Sequence, residues 1–199
     1  RFRFITPVGE IDVQSPLPGR HNLRNALAAT AATLAAGASL DEIRHGLENL
    51  SGVNGRLQRL PGRQGGAVIH DAYNANPASL AAALDTVGAG SGECWLVLGD
   101  MYELGPAAAA LHAESGRAAR ASGFTRLYAL GEHSRAAVAA FGAGATHFTE
   151  VEALITALSG ALQQGGEPPT VLVKGSRGMR MERVVAALTV ATAEGYAEC

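Results

Sequence analysis

Apolar and polar residues alternate at the beginning of the chain, in residues 1–5 and again in residues 11–14. A period of two is typical of a half-buried strand, and Pro7-Val8-Gly9 between the two runs contains residues that favour a turn. The pattern therefore predicts two short strands at the start of the chain.

Two helices are predicted next, because the apolar residues then recur with a helical period. The first helix runs from His21 to about Ala36, and Gly37 follows it as a C-cap. Its apolar side consists of Leu23, Ala26, Leu27 and Leu34. The second helix begins at Ser39-Leu-Asp-Glu42, a capping box, and it runs to about Leu50.

Strands and helices alternate regularly after Arg56. The predicted strands are Gln58–Leu60, Val68–His70, Trp95–Leu98, Leu127–Leu130, Thr146–Phe148 and Val171–Lys174. The predicted helices are Ala78–Val87, Ala107–Ala121, Ser134–Phe141, Val151–Leu162 and Met181–Ala193. Strands that alternate with helices of this length form βαβ units around a parallel sheet. We therefore predict an α/β fold for this part of the chain, a doubly wound, Rossmann-like domain.

The stretch Ser51–Gly55 has the composition of a linker, and it divides the chain into residues 1–53 and 54–199. Two short strands and two helices bury too little surface for an independent domain. Since the chain also begins at Arg1 rather than at methionine, we expect residues 1–53 to be the end of a larger domain.

The composition excludes several classes of protein. Apolar residues make up 47% and charged residues 17%, which suits a globular core. A formal net charge of −2 gives no electrostatic reason to expect nucleic acid or an anionic membrane as a partner. No apolar run reaches the roughly 20 residues of a membrane span, and no signal peptide is evident. Cys94 and Cys199 do not make a disulfide framework, so we expect a reducing cytoplasm.

The first candidate site is the stretch from Val68 to Pro77, Val-Ile-His-Asp-Ala-Tyr-Asn-Ala-Asn-Pro. A buried strand leads there into Asp71, Asn74 and Asn76, and Pro77 suits the first turn of the next helix. Polar residues in this position lie at the carboxyl edge of a sheet, where open α/β folds bind ligands. The alternative is an ordinary loop whose Asn and Asp residues only satisfy turn geometry.

Two further clusters carry amides and a cation. Asn22 and Asn25 are three residues apart and share one helix face, where their amides suit the edge of a nucleobase. The alternative is that Asn22 is simply an N-cap. Arg56 follows the linker, and its rigid guanidinium suits a phosphate group. The alternative for Arg56 is a solvated surface arginine.

The last two clusters follow two other predicted strands. Asp100 and Glu103 are either solvated or position a substrate amine. Lys174, Ser176 and Arg177 surround a Gly-Ser turn, and two cations with backbone donors make a carboxylate or phosphate site. The lysine precedes the glycine, so this run is not a Walker-type phosphate loop. The 6 histidines show no metal-ligand spacing, so no metal site is predicted within the chain.

Five motifs, taken in order, resemble the Mur ligase family, and most closely its branch that adds a D-alanyl-D-alanine dipeptide. The motifs are Gly19-Arg-His-Asn-x-x-Asn-Ala-Leu-Ala-Ala29, Gly55-Arg-Leu-Gln58, Asp71-Ala-Tyr-Asn-Ala-Asn-Pro77, Leu98-Gly-Asp-Met-x-Glu-Leu-Gly105 and Lys174-Gly-Ser-Arg-x-Met-x-Met-Glu182. Together they cover most of the chain. The Tyr-Asn-Ala-Asn-Pro and Lys-Gly-Ser-Arg forms separate this branch from relatives that add other amino acids.

The resemblance implies a ligase that joins D-alanyl-D-alanine to a UDP-N-acetylmuramoyl tripeptide in peptidoglycan precursor synthesis. ATP, with Mg²⁺, would phosphorylate the terminal carboxylate of the tripeptide, and the amine of the dipeptide would then attack the acyl phosphate. The resemblance also implies a monomeric, cytoplasmic enzyme. In it, residues 1–53 end the central ATP-binding domain and residues 54–199 form the C-terminal ligase domain.

The resemblance also implies a role for each matching residue. Asn22 and Asn25 correspond to residues that contact adenine. Arg56 corresponds to a catalytic arginine that reaches the terminal phosphate, and Asp71 to an aspartate that bonds the ribose. Lys174, Ser176 and Arg177 correspond to positions that hold the incoming dipeptide, and Asn74 and Asn76 are expected to line the same cleft.

The sequence departs from the family because several of the family's features are missing from it. It contains no Gly-x-x-Gly-Lys-Thr phosphate loop, and the uridine-binding domain, the modified lysine and the magnesium ligands of the family have no counterpart in it. We therefore expect these 199 residues alone not to make the ligated product. The alternatives are another amino-acid ligase of the Mur or folylpolyglutamate type, and a non-catalytic Rossmann-like module that binds a nucleotide or a peptide.

Overall fold

The computed structural model describes residues 1–17, 19–50, 53–90, 92–164 and 166–190. The chain divides into two compact units, Arg1–Val53 and Asn54–Cys199. Ser51 and Gly52 of the predicted linker lie outside the described residues, as do residues 191–193 at the end of the last predicted helix. Within the described ranges, no helix is both long and apolar enough to cross a membrane.

The first unit is a hairpin with two helices, as the apolar pattern predicts. Its elements are β1 (Phe2–Thr6), β2 (Gly9–Val13), α1 (Arg20–Ala35) and α2 (Leu40–Glu48), with the two strands antiparallel. The predicted capping box is present, because the Ser39 hydroxyl accepts from the Glu42 N–H and the Glu42 carboxylate accepts from the Ser39 N–H. The core of the unit consists of Phe4, Ile11, Val13, Ala26, Ile43 and Leu47.

The end of α1 is a Schellman motif at Gly37, where φ is 93°. The Gly37 N–H donates to the carbonyl of Leu34 at 3.0 Å, and the Ala38 N–H donates to the carbonyl of Thr33 at 3.0 Å. Glycine adopts this left-handed conformation readily because it has no Cβ. The prediction that the helix stops at Gly37 is confirmed.

The beginning and the apolar side of α1 differ from the prediction. The N-cap is Gly19, so the alternative that Asn22 is the N-cap is wrong, and Asn22 lies in the first turn. Ala26 is buried, but Leu23 and Leu27 are 39% and 52% exposed. A two-stranded hairpin and one short helix are too narrow to cover the whole apolar side of a helix of 16 residues.

The second unit alternates strands and helices close to the predicted positions. Its strands are β3 (Gln58–Pro61), β4 (Ala67–Asp71), β5 (Cys94–Gly99), β6 (Arg126–Leu130), β7 (Ala145–Phe148) and β8 (Thr170–Lys174). Its α-helices are α3 (Pro77–Gly88), α4 (Ala108–Ala121), α5 (Ser134–Phe141), α6 (Val151–Gln163) and α7 (Glu182–Leu188). α7 is shorter than predicted, because Thr189 is extended and forms a β-bridge with Gly62. The α/β fold class is confirmed.

The six strands form one sheet in the order β3-β4-β8-β5-β6-β7. All neighbours are parallel, as predicted, except that β3 runs antiparallel to β4 at the edge. Only residues 62–66 connect β3 to β4, and a connection this short makes a hairpin, whereas a parallel pair needs a crossover of about a dozen residues. The sheet is therefore mixed.

Helices cover both faces of this sheet. On one face α3, α4 and α5 pack against strand residues Ile69, Leu96, Leu98, Leu127, Ala129 and Leu172. On the other face α6 and α7 pack against Val68, Trp95, Val97, Tyr128, Leu130, Val171 and Val173. Successive strand residues thus enter opposite cores, which is the doubly wound arrangement that the sequence predicts.

Gly116 in α4 lies against α5, and a Cβ at this position would overlap the carbonyl oxygen of Ala137. We expect Gly116→Ala to lower the free energy of unfolding by about 1–3 kcal/mol, as overpacking of a core does. Urea denaturation followed by the fluorescence of Trp95, the only tryptophan, measures the change.

Gly160→Ala in α6 is the matched control, since a Cβ there meets no atom within 4 Å. Alanine has the higher helix propensity, so this change should raise the free energy of unfolding by about 0.5–1 kcal/mol. Equal effects of the two substitutions would contradict the close approach of α4 and α5.

Candidate functional site

Candidate side chains collect at the carboxyl edge of the sheet in the second unit. β4, β8 and β5 are parallel neighbours, so the loops that follow them meet at this edge. The register places Asp71 at the end of β4 opposite Lys174 at the end of β8. Two clusters that are far apart in the sequence are therefore adjacent in the fold.

Asp71 and Lys174 form a buried ion pair. The Lys174 amino group donates to Asp71 Oδ2 at 2.6 Å and to the carbonyl oxygen of Asn74 at 3.0 Å. The Lys174 side chain is 2% exposed and that of Asp71 is 11% exposed. Buried charges are stable when they are paired and hydrogen-bonded, and both conditions hold here.

The second oxygen of Asp71 holds the segment that carries Arg56. The Leu57 N–H donates to Asp71 Oδ1 at 3.1 Å, and the Tyr73 N–H donates to the Gly55 carbonyl at 3.1 Å. Gly55 and Leu57 both have positive φ, 74° and 49°, and a leucine adopts this conformation rarely. The backbone is thereby bonded to the β4 loop on both sides of Arg56.

Arg56 is exposed and lies over Tyr73. Its guanidinium carbon is 4.6 Å from the centroid of the tyrosine ring, within the range of a cation–π contact. Tyr73 is 48% exposed. None of the ion pairs among the described residues includes Arg56, so its charge is available to an anion.

Ser176 joins three of the loops at this edge. Its hydroxyl accepts from the Tyr102 N–H at 2.8 Å and donates to the Ala75 carbonyl at 3.4 Å, while its own N–H donates to the Asp100 carbonyl at 3.0 Å. Ser176 is 4% exposed. Both Ser176 and Lys174 therefore contact protein groups, and their implied contacts with the dipeptide stay predictions.

Asp100 differs from both sequence-based alternatives, since it is neither solvated nor free to position an amine. It is 4% exposed, and its carboxylate oxygens accept from the N–H groups of His133 and Ser134 at 3.1 and 2.7 Å. These groups belong to the N-terminus of α5, where a negative charge is stabilising. Gly131 allows the contact, because a Cβ there would lie 2.5 Å from the carboxylate carbon. Glu103 is exposed.

Three of the predicted residues at this edge, Asn74, Asn76 and Arg177, are exposed. The Asn76 side-chain oxygen accepts from the Ser79 N–H at 2.8 Å and caps α3, so local geometry accounts for one of its two functional groups. Arg177 lies 3.8 Å from the Glu182 carboxylate, with the two side chains 61% and 33% exposed. An exposed pair of this kind is weak, which leaves Arg177 able to bind another anion.

His70 is a buried group that sequence reasoning does not single out. It precedes Asp71, it is 4% exposed, and its Nδ1 has no hydrogen-bond partner among the described residues. Burial lowers the pKa of His70, while the nearby carboxylate of Glu182 acts in the opposite direction. The ring is therefore neutral near pH 7 and packs as an uncharged side chain.

Asn22 and Asn25 belong to the first unit, where they share one face of α1. Asn22 is half-buried and Asn25 is exposed. In the part of the chain that the structure describes, no group of three or more His, Cys, Asp or Glu side chains is arranged to hold a metal ion. The requirement for Mg²⁺ stays a prediction.

Sequence reasoning misses Tyr73 as the residue on which Arg56 lies. One signal was present, because a tyrosine in an otherwise polar loop after a strand offers an exposed ring to a nearby arginine. It also misses the role of Asp100 at the start of α5. The only local signal there was an aspartate directly after a buried strand, which fits many functions.

Comparisons with known proteins identify relatives of the chain. Residues 55–177 match the family model of the Mur ligase, glutamate ligase domain. The UDP-N-acetylmuramoyl-tripeptide–D-alanyl-D-alanine ligase of Escherichia coli (strain K12) is 44% identical over 187 residues, which are 94% of this chain and 41% of that protein. The ligase of the same name from Haemophilus influenzae is 38% identical over 191 residues, with coverage of 94% and 41%.

Solved structures of MurF ligases are also similar to this chain. MurF from Acinetobacter baumannii has a TM-score of 0.83 at 34% identity, over 91% of this chain and 40% of that chain. The MurF ligase from Thermotoga maritima in complex with ADP has a TM-score of 0.77 at 21% identity, over 93% and 42%, and it shows the fold alone. The chain spans 41% of the length of the two curated relatives. Since the family model matches more than half of its residues, the chain belongs to the Mur ligase family.

Proposed function

We propose that this chain is the C-terminal part of an ATP-dependent ligase that adds D-alanyl-D-alanine to a UDP-N-acetylmuramoyl tripeptide in peptidoglycan precursor synthesis. The observation that carries the proposal is the arrangement at the sheet edge, where an exposed Arg56 is held beside the buried pair of Asp71 and Lys174. The names of the relatives supply the reaction. A cytoplasmic monomer, and a central ATP-binding domain that includes residues 1–53, belong to the same proposal.

The side chains fit a nucleotide. Arg56 offers parallel N–H donors that match the oxygens of a terminal phosphate. Asp71 already accepts one hydrogen bond on each oxygen, but a carboxylate has about four lone-pair sites, which leaves capacity for a ribose hydroxyl. In the first unit, Asn22 and Asn25 carry amides suited to adenine. When bound, ATP supplies the phosphoryl group that activates the carboxylate of the tripeptide.

The chemical contribution of this chain is positioning and charge neutralisation. Arg56 would stabilise negative charge that develops on the transferred phosphoryl group, and a preorganised cation is effective because it needs no rearrangement during the reaction. We assign the exposed Arg177 to the carboxylate of the dipeptide, with Asn74 and Asn76 beside it. Lys174 and Ser176 would support this site by holding its loops. We place the Mg²⁺ ligands outside the described residues.

The reaction is tested with the purified full-length ligase. Incubation with ATP, the UDP-linked tripeptide and D-alanyl-D-alanine should release ADP and orthophosphate and form a UDP-linked pentapeptide, which mass spectrometry identifies. Competition with meso-diaminopimelate, lysine and glutamate separates the alternatives. Preferred incorporation of a single amino acid would indicate another ligase of the Mur or folylpolyglutamate type. No ADP release with any amine, in the presence of the UDP-linked tripeptide, the UDP-linked dipeptide or a folate as acceptor, would indicate a binding module.

The 199 residues alone are expected to give no ligated product under the same conditions. They contain no phosphate loop, and Lys174, the only lysine, is bonded to Asp71. Release of ADP should therefore equal that of a protein-free control. Formation of the pentapeptide by these residues alone would show that phosphate binding needs nothing beyond them.

A further inference from the structure

We propose, on the basis of the proposed function, that Lys174 and Tyr73 are positioning residues for Arg56, Lys174 acting through Asp71 and Tyr73 through its ring. Neither role follows from the motifs. Both follow from contacts that connect the end of β8, the end of β4 and the segment before β3.

The first step is that Lys174 fixes the carboxylate of Asp71. Two of the three ammonium hydrogens of Lys174 have acceptors inside the protein, Asp71 Oδ2 at 2.6 Å and the Asn74 carbonyl at 3.0 Å. Two acceptors in different directions define the orientation of the amino group. A side chain that is 2% exposed also offers little surface to a substrate. Its charge therefore acts on Asp71 and not on the dipeptide.

The second step is that Asp71 fixes the backbone next to Arg56. Its other oxygen accepts from the Leu57 N–H at 3.1 Å, and Leu57 has φ 49°. A left-handed conformation in a leucine persists only when its surroundings hold it. If the carboxylate moved, Leu57 would relax to negative φ. The side chain of Arg56, the residue before it, would then leave the backbone in a different direction.

The third step is that Tyr73 holds the guanidinium. The Tyr73 N–H donates to the Gly55 carbonyl at 3.1 Å, which places its ring beside the Arg56 segment, and the guanidinium lies 4.6 Å from the ring centroid. An arginine that is already held by an aromatic ring loses less rotamer freedom when it binds a phosphate. Arg56 is thereby oriented before the nucleotide arrives.

Kinetics of the full-length ligase test the link from Lys174 to Arg56. Lys174→Met should lower kcat about tenfold, because a small displacement of a catalytic group is costly, and should leave KM for D-alanyl-D-alanine within about twofold. In an Arg56→Ala background, Lys174→Met should cause no further loss of kcat. Lys174→Arg keeps the charge and should restore part of the activity. Arg126→Met is the control and should keep the wild-type kcat, since Arg126 stacks on Trp95 at the amino ends of the strands, away from the carboxyl edge.

Variants of Tyr73 test the role of the ring without altering the buried pair, so they decide this part of the inference even if Lys174→Met does not fold. Tyr73→Phe keeps the ring and should keep kcat. Tyr73→Leu removes the ring and should lower kcat about three- to fivefold, the fold-change expected for an exposed cation–π contact. This loss should disappear in the Arg56→Ala background.

Two kinetic results would overturn the inference. A higher KM for the dipeptide at unchanged kcat in Lys174→Met would make Lys174 a substrate contact. If Lys174→Met and Tyr73→Leu lower kcat in the Arg56→Ala background as much as in the wild type, neither residue acts through Arg56.

A readout that needs no activity separates this inference from the proposed function. The chemical shift of the Leu57 amide proton, measured by NMR on the folded protein, should move upfield in Lys174→Met because its hydrogen bond to Asp71 is weakened, while that of the Ala129 amide in β6 stays the same. If the wild-type enzyme ligates nothing but this pattern of shifts is found, only the proposed function fails. If the shift of the Leu57 amide is unchanged, the positioning role of Lys174 fails whatever the activity.

Discussion

Replacement of Lys174 by methionine is expected to lower the free energy of unfolding of the second unit by about 3–5 kcal/mol. Methionine has a similar length, so the change removes the charge and leaves Asp71 with an unpaired oxygen in a side chain that is 11% exposed. The remaining charge keeps its cost of desolvation without its partner. The Asn74 carbonyl loses its donor as well. A loss of this size is a large fraction of the roughly 5–15 kcal/mol that stabilises a typical domain.

Urea denaturation followed by Trp95 fluorescence measures this loss in the relevant unit, because the only tryptophan lies buried in β5. The double variant Lys174→Met/Asp71→Asn should recover most of the stability, since a neutral amide is cheaper to bury and its oxygen still accepts from Leu57. Arg135→Met, at an exposed position of α5, should stay within about 0.5 kcal/mol of the wild type. A loss below about 1 kcal/mol for Lys174→Met would contradict a buried pair.

The strands and helices of the second unit were predictable because their physical causes are local. Strands buried on both faces are short apolar runs, and polar, glycine-containing loops separate them from the helices. The antiparallel β3 was also predictable, since no helix fits into residues 62–66. The prediction of a parallel sheet failed at β3, because it assumed a helical crossover after every strand and none follows β3.

The pairing of Lys174 with Asp71 was not predictable in the same way. The two residues are 103 positions apart, and β8, the last strand in the chain, lies between β4 and β5. Local patterns contain no information on the order of strands in a sheet. One signal existed, because the only lysine follows Val-Leu-Val at the end of an apolar strand, and a buried lysine requires an acidic partner. Asp71, at the end of another apolar strand, met that requirement.

Arg56→Ala is expected to lower the kcat of the full-length ligase by about 10²–10³-fold, the usual cost of removing one preorganised group that stabilises charge in a transition state. Arg56 is exposed, and its contact with Tyr73 lies at the protein surface. The fold should therefore tolerate the change, so unfolding curves of the variant should match those of the wild type. Rapid-quench measurement of ADP formation gives the effect on the chemical step itself.

Two matched variants separate the charge of Arg56 from its shape and position. Arg56→Lys keeps the charge but loses the planar fork of donors, so its kcat should fall between those of the wild type and Arg56→Ala. Arg59→Ala removes the same charge from an exposed position on β3 and should leave kcat within about twofold of the wild type, as surface changes usually do. A rise in KM for ATP at unchanged kcat in Arg56→Ala would limit Arg56 to ground-state binding. If kcat and KM for ATP of Arg56→Ala both equal the wild-type values, Arg56 is a solvated surface arginine. A group that stabilises the transition state cannot be removed without lowering kcat or kcat/KM.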